Sequence, residues 1–247
     1  PGEEQQQLDL KDASIWKGFW ALIKLGVWHI WIGLDHILFI LALILPAVVR
    51  RRDELTDMTT VLEVGPEYSK SWMPVAKFSP AFLYIVKIIT FFTIAHSITL
   101  ALAALGYINL GSRFVESIIA ISIALAAVHN ITPIFKSREW VIAFGFGLFH
   151  GFGFASVLGE KGLSGDYMVL SLLGFNIGVE LGQLLIICMI FPFLYLLRRV
   201  NLYPKIVTYG SVVLIIISIY WFIERMFEVD LPAGKYFWMA YRAIFGG

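Results

Sequence analysis

The chain has 247 residues, of which 59% are hydrophobic and 15% charged, a balance that excludes an ordinary soluble domain and fits a polytopic membrane protein. Its net charge of +1 offers nothing to a nucleic acid or another acidic polymer. The one cysteine, Cys188, excludes an intrachain disulfide and a multi-thiolate metal site and reads as an apolar packer in mid-span.

Residues 1–15 read as a polar extracytoplasmic lead-in. Pro1 and the run from Glu3 to Gln7 lack the basic and apolar regions of a signal peptide; with an outside amino terminus and no initiator Met, a longer precursor or a further extracytoplasmic domain is expected. Crossing about 30 Å of hydrocarbon takes roughly 20 apolar residues, and six stretches qualify: 18–48, 80–105, 114–133, 140–158, 168–197 and 205–223. The expected fold is thus an all-α integral membrane protein, a six-helix transmembrane bundle over residues 16–230.

All five histidines of the chain, His29, His36, His96, His129 and His150, fall within these stretches. Ionisable groups in hydrocarbon are expensive unless paired or hydrated, which makes them functional candidates by default. On a continuous first span His29, Gly33 and His36 share a face about 60° wide, while Asp35 points about 100° away from His36 and is expected to orient an imidazole on a neighbouring helix. The connection 49–79 is charged and proline-containing and reads as a cytoplasmic loop with a short helix near Leu55–Leu62.

The second span carries Thr90, Thr93 and Ser97 on one face with His96 bordering it. Hydroxyls in membrane helices also bond their own i−4 carbonyls, so His96 beside Ser97 is the stronger signal. In the third span Glu116 stands near the outer boundary and His129 near the inner one, about 140° apart around the helix. The fourth places His150 among Gly147, Gly151 and Gly153, a small-xxx-small pattern for close packing. The fifth divides into a Gly174, Gly178, Gly182 stripe and a roughly opposite polar face of Asn176, Glu180 and Gln183, so it is expected at the centre with Glu180 turned toward the histidines.

Arg50, Arg51 and Arg52, then Lys136 and Arg138, then Arg198, Arg199 and Lys205 occupy alternate connections. The positive-inside rule makes these cytoplasmic and both termini extracytoplasmic. The tail 231–247, with Tyr236, Phe237, Trp238, Tyr241 and Phe245, suits an aromatic interfacial segment.

Taken together, GLDHILF, FTIAHSITL, ESIIAISIALAAVHN, FGFGLFHGFGFA and LLGFNIGVELGQ resemble the HupE/UreJ family of bacterial membrane proteins, from about Trp16 to about Leu197. That family is associated with nickel uptake for hydrogenase and urease maturation, and the resemblance implies divalent-metal transport in a bacterial inner membrane. His29, Asp35 and His36 match the H-x5-D-H signature of its nickel permeases. Phe149-His150-Gly151 begins the F-H-G-x-A-H-G-x-E signature, but Phe154 and Val157 replace its second His and its Glu, as in the second HupE/UreJ subgroup. His129 stands where many relatives carry a carboxylate.

The expected ligands of a divalent transition metal are therefore His29, Asp35, His36, His96, His150 and Glu180, with Ser97, Glu116, His129, Asn176 and Gln183 in support. Imidazole and carboxylate suit nickel, or alternatively zinc, cobalt or iron. Two other classes fit the same residues: an intramembrane zinc hydrolase using His36, His96 and His150 with Asp35 or Glu180 as base, and a non-catalytic subunit of a membrane assembly, whose aromatic tail would meet membrane or extracytoplasmic protein partners.

Overall fold

A computed structural model describes residues 2–52, 60–65, 68–69, 71–134, 139–154, 167–229 and 231. The chain forms α1 (Gly2–Ile32), α2 (Leu34–Ile44), a 3-10 turn Leu45–Val48, strand β1 (Val49–Arg51), strand β2 (Trp72–Pro74), α3 (Phe78–Ala104), α4 (Ser112–Ile131), α5 (Glu139–His150), a 3-10 turn Gly151–Phe154, α6 (Tyr167–Leu197) and α7 (Tyr203–Phe227). Helix α1 packs along α6, α3 along α5 and α4 along α7, while α2 sits between them against α1, α4, α6 and α7.

Four of these helices are long and apolar enough to cross a membrane: α3, α4, α6 over Met168–Leu197, and α7. A further pair of helices reaches that length and apolarity only together, as one bent segment. Residues Trp16–Ile32 and Leu34–Val48 meet at an angle of 72°, with Gly33 extended (φ −77°, ψ 98°) between them. The expected fourth span, 140–158, is α-helical only through His150 before the 3-10 turn, and residues 155–158 lie outside the described residues.

The glycine stripe works as expected. A methyl group on Gly178 would stand 2.1 Å from the Ile23 carbonyl oxygen, and one on Gly26 would stand 2.2 Å from that of Phe175, so α1 and α6 touch backbone to backbone. Gly147 and Gly151 do the same for α5 and its turn against Phe92, His96 and Thr99 of α3. With no hydrophobic drive between helices in lipid, such contacts supply the dispersion energy that holds a bundle together. Beyond the glycines α6 exposes Leu185, Met189 and Phe193, and α7 exposes Val213, Ile216 and Ile219, as lipid-facing surfaces should.

At one end of the bundle β1 and β2 pair antiparallel, Val49 opposite Pro74 and Arg51 opposite Trp72. Arg51 donates to the carbonyls of Asn130 and Ile131 at the end of α4, Arg198 donates to Val75 O at 2.9 Å, and Tyr203 donates to Leu45 O at 2.8 Å. Tyr68 donates to the Arg198 carbonyl; burial pushes its phenol up to about 12, so it remains a donor at neutral pH. The connections carrying Arg50–Arg52 and Arg198 therefore share one end, as their charges require. Of the short helix expected near Leu55–Leu62, positions 55–59 lie outside the described residues, and Val61 forms a β-bridge to Val75. Lys136, Arg138 and the tail 232–247 also lie outside them.

Candidate functional site

The break at Gly33 starts α2 with Asp35 and His36 in its first turn. Asp35 Oδ1 accepts from the His36 backbone N–H at 3.0 Å and lies 3.0 Å from His36 Nδ1. This corrects the expectation that Asp35 orients an imidazole on another helix. A continuous helix would separate adjacent side chains by about 100°, but at a helix start the carboxylate folds back onto the next residue. Gly33 makes the room, since a Cβ there would lie 2.5 Å from His36 Nδ1.

The bend still keeps His29 and His36 together, with ring centroids 4.6 Å apart. His150 follows at 5.6 Å from His36. Phe39 and Phe92 wall the group at 5.3 and 4.9 Å from His150, Phe175 lies 5.5 Å from His29, and Phe92 stacks 6.2 Å from His96. His36, His96 and His150 are only 6%, 0% and 2% exposed, which puts all three in the dry interior.

Their hydrogen bonds follow one rule. His36 Nδ1 faces Asp35 Oδ1. His96 Nδ1 faces Asn176 Oδ1 at 3.3 Å, and the Asn176 amide is fixed in that orientation because its Nδ2 donates to Leu172 O at 2.8 Å. His150 Nδ1 faces Phe146 O at 2.9 Å. Each of these oxygens only accepts, so in the neutral rings the proton sits on Nδ1 and the lone pair on Nε2. Among the described residues all three Nε2 atoms are buried with no hydrogen-bond partner, as is Glu180 Oε2. An acceptor buried without a donor costs about 1–3 kcal/mol, and such exceptions in a native core call for an explanation.

The remaining expected site residues divide by place. Asn176 orients His96, and Gln183 and Glu180 meet α3: Thr90 Oγ1 donates to Glu180 Oε1 at 2.6 Å, and Thr93 Oγ1 lies 2.9 Å from Gln183 Oε1. Ser97 turns away and donates to its own i−4 carbonyl, Thr93 O, at 2.7 Å. Glu116 lies at the far end, 3.6 Å from Arg225. His129 accepts from the Ile134 backbone N–H at 3.1 Å and lines a cavity of about 70 Å³ with Arg51, Asn130 and Glu139, which places it in the loop end and not among the other imidazoles. Among the described residues no three His, Cys, Asp or Glu side chains stand in metal-holding geometry, so the imidazoles are gathered but not closed on a common point.

Sequence reasoning missed the aromatic wall and the helix break. Phe39 was visible as a residue three positions beyond His36, the spacing that brings two side chains onto one helix face. An acid two residues after a glycine is a helix-start signal, and Gly33 with Asp35 fits it. The family model described as HupE / UreJ protein matches residues 4–225, and the chain belongs to that family. No curated protein and no solved structure matches it.

Proposed function

We propose that this member of the HupE/UreJ family carries a divalent transition metal across a bacterial inner membrane, with nickel the foremost cargo and zinc, cobalt and iron the alternatives. The observation that most supports this reading is the common tautomer of three buried imidazoles. His36, His96 and His150 each commit Nδ1 to an acceptor and, among the described residues, leave Nε2 without a partner. That is the arrangement in which a histidine binds metal, its outer hydrogen bond fixing the ring and raising its basicity. Neutral imidazole suits borderline divalent ions of the first transition row.

On this reading His36, His96 and His150 supply nitrogen ligands, and His29 stands beside them as a further one. Asp35 holds His36 and contributes the negative charge that offsets a dication in low dielectric. Closing the set requires the rings on α2, α3 and α5 to draw together. The bend at Gly33 lets α2 shift without carrying the whole of α1.

The test is Ni²⁺ flux into proteoliposomes that hold the purified full chain. A His36→Ala, His150→Ala double variant is expected to lower flux at least tenfold, and undiminished flux would refute the assignment. If the wild type holds one metal per chain through chelator washes and passes none, the metal is resident, and the hydrolase reading replaces transport.

A further inference from the structure

One polar group in the bundle interior is left over by the imidazole cluster. Among the described residues Glu180 Oε2 is buried with no hydrogen-bond partner and Glu180 forms no ion pair. It lies one helical turn from Asn176, about 6 Å along α6, and its partner Thr90 lies six residues from His96, about 9 Å along α3. Both steps lead toward the end of the bundle that carries β1 and β2. Thr93 and Gln183, which touch at 2.9 Å, complete a group of four oxygen-bearing side chains at i, i+3 spacing on the facing helices. Beyond it the α3–α6 seam is closed by rings, Phe82 and Phe191 lying 5.5 Å apart.

We propose that Glu180, Thr90, Thr93 and Gln183 form a second, all-oxygen station for a divalent cation, one step from the imidazole cluster toward the β1–β2 end. This extends the transport reading along the same seam and rests on it for direction, though not for binding. A carboxylate inside hydrocarbon needs a compensating positive charge, and among the described residues no side chain forms an ion pair with it. One carboxylate oxygen, two hydroxyls and an amide oxygen make a hard donor set, suited to a cation that keeps part of its water shell. With a single formal charge the station binds weakly, as a transit point before a closed apolar gate should. The two sites therefore differ in chemistry: nitrogen ligands hold the ion first, and oxygen ligands receive it.

Equilibrium dialysis of the full-length protein in detergent, with Mn²⁺ and Ni²⁺ as separate probes and bound metal read by elemental mass spectrometry, tests this directly. Mn²⁺ should favour the oxygen station and Ni²⁺ the imidazoles. Glu180→Gln is expected to weaken Mn²⁺ binding at least tenfold while leaving tight Ni²⁺ binding unchanged, and His36→Ala with His150→Ala should do the reverse. Thr90→Val, a smaller change that keeps the helix contact, should weaken Mn²⁺ several-fold in protein that still elutes as one species. Mn²⁺ binding equal to wild type in both Glu180→Gln and Thr90→Val overturns the station. A Glu180→Gln variant that loses Ni²⁺ and Mn²⁺ in parallel also overturns it, by making Glu180 part of one common site. Failure of the imidazole assignment shows separately, as Ni²⁺ binding indifferent to the His variants.

Discussion

Gly33→Ala is the sharpest test of how the site is held. Gly33 has an ordinary extended backbone, φ −77° and ψ 98°, which alanine adopts without strain, so the effect is purely one of space. The added Cβ would lie 2.5 Å from His36 Nδ1, 2.9 Å from His29 O and 3.1 Å from Asp35 Oδ1. Carbon contacts settle near 3.5 Å, so the imidazole must retreat by about 1 Å. A retreat of that size stretches the 3.0 Å contact between His36 and Asp35 beyond hydrogen-bonding reach.

Losing an outer-shell partner of a ligating histidine typically weakens metal binding about 10- to 100-fold. Gly33→Ala should therefore weaken Ni²⁺ by that factor, and Asp35→Asn, which keeps the shape but removes the charge, should move it the same way. Isothermal titration of the detergent-purified protein reads both. Wild-type affinity in Gly33→Ala would mean that the Asp35–His36 contact does not set the imidazole, and the reasoning would fail.

Gly178→Ala puts a methyl group 2.1 Å from Ile23 O and should destabilise the bundle by about 1–3 kcal/mol through overpacking. Gly145→Ala meets nothing within 4 Å and should stay within about 0.5 kcal/mol of wild type; unfolding in mixed micelles compares the two. Asn130→Ala removes donors to Ala42 O at 2.8 Å and Ser211 Oγ at 3.2 Å, untying α2, α4 and α7 where they meet. It should cost about 1–3 kcal/mol in the same assay with metal affinity little changed. His129→Ala should leave Ni²⁺ binding at wild-type strength, since His129 lies in the loop end; a tenfold loss would bring it back into the site.

Much of the bundle was legible because small residues at i and i+4 have few uses in lipid other than close packing. Gly174, Gly178 and Gly182 thus announced a tightly packed seam and the polar face opposite them an interior one, while that α1 and α3 are the helices they meet was not legible, since periodicity fixes faces and not neighbours. The break at Gly33 was less legible. Apolar content is high throughout residues 18–48, and a lone glycine in a helical pattern is tolerated at a cost of about 1 kcal/mol. That one fact then misdirected Asp35, because a helical wheel carries its phase across any break it does not know about. His129 was misleading for another reason: a histidine at the last turn of a span is as well placed to accept from the following loop as to face the interior, and periodicity does not separate the two.

The open geometry of the imidazoles also sets a limit on affinity. If the cluster passes metal on, its dissociation rate bounds turnover. With association near the diffusional ceiling of about 10⁹ M⁻¹s⁻¹, a picomolar site releases its ion at about 10⁻³ s⁻¹, and a micromolar one at about 10³ s⁻¹. Structural zinc sites with closed ligand sets reach about 10–16 kcal/mol, which is retention and not transit. Three lone pairs that, among the described residues, do not meet at a point must spend part of their binding energy on drawing together, and this weakens the site. Titration should accordingly give a Ni²⁺ Kd between about 0.1 and 10 µM, or about −9.5 to −7 kcal/mol. A subnanomolar Kd alongside measured turnover above about one per second would be kinetically inconsistent with passage through these histidines, and would move the route elsewhere in the bundle.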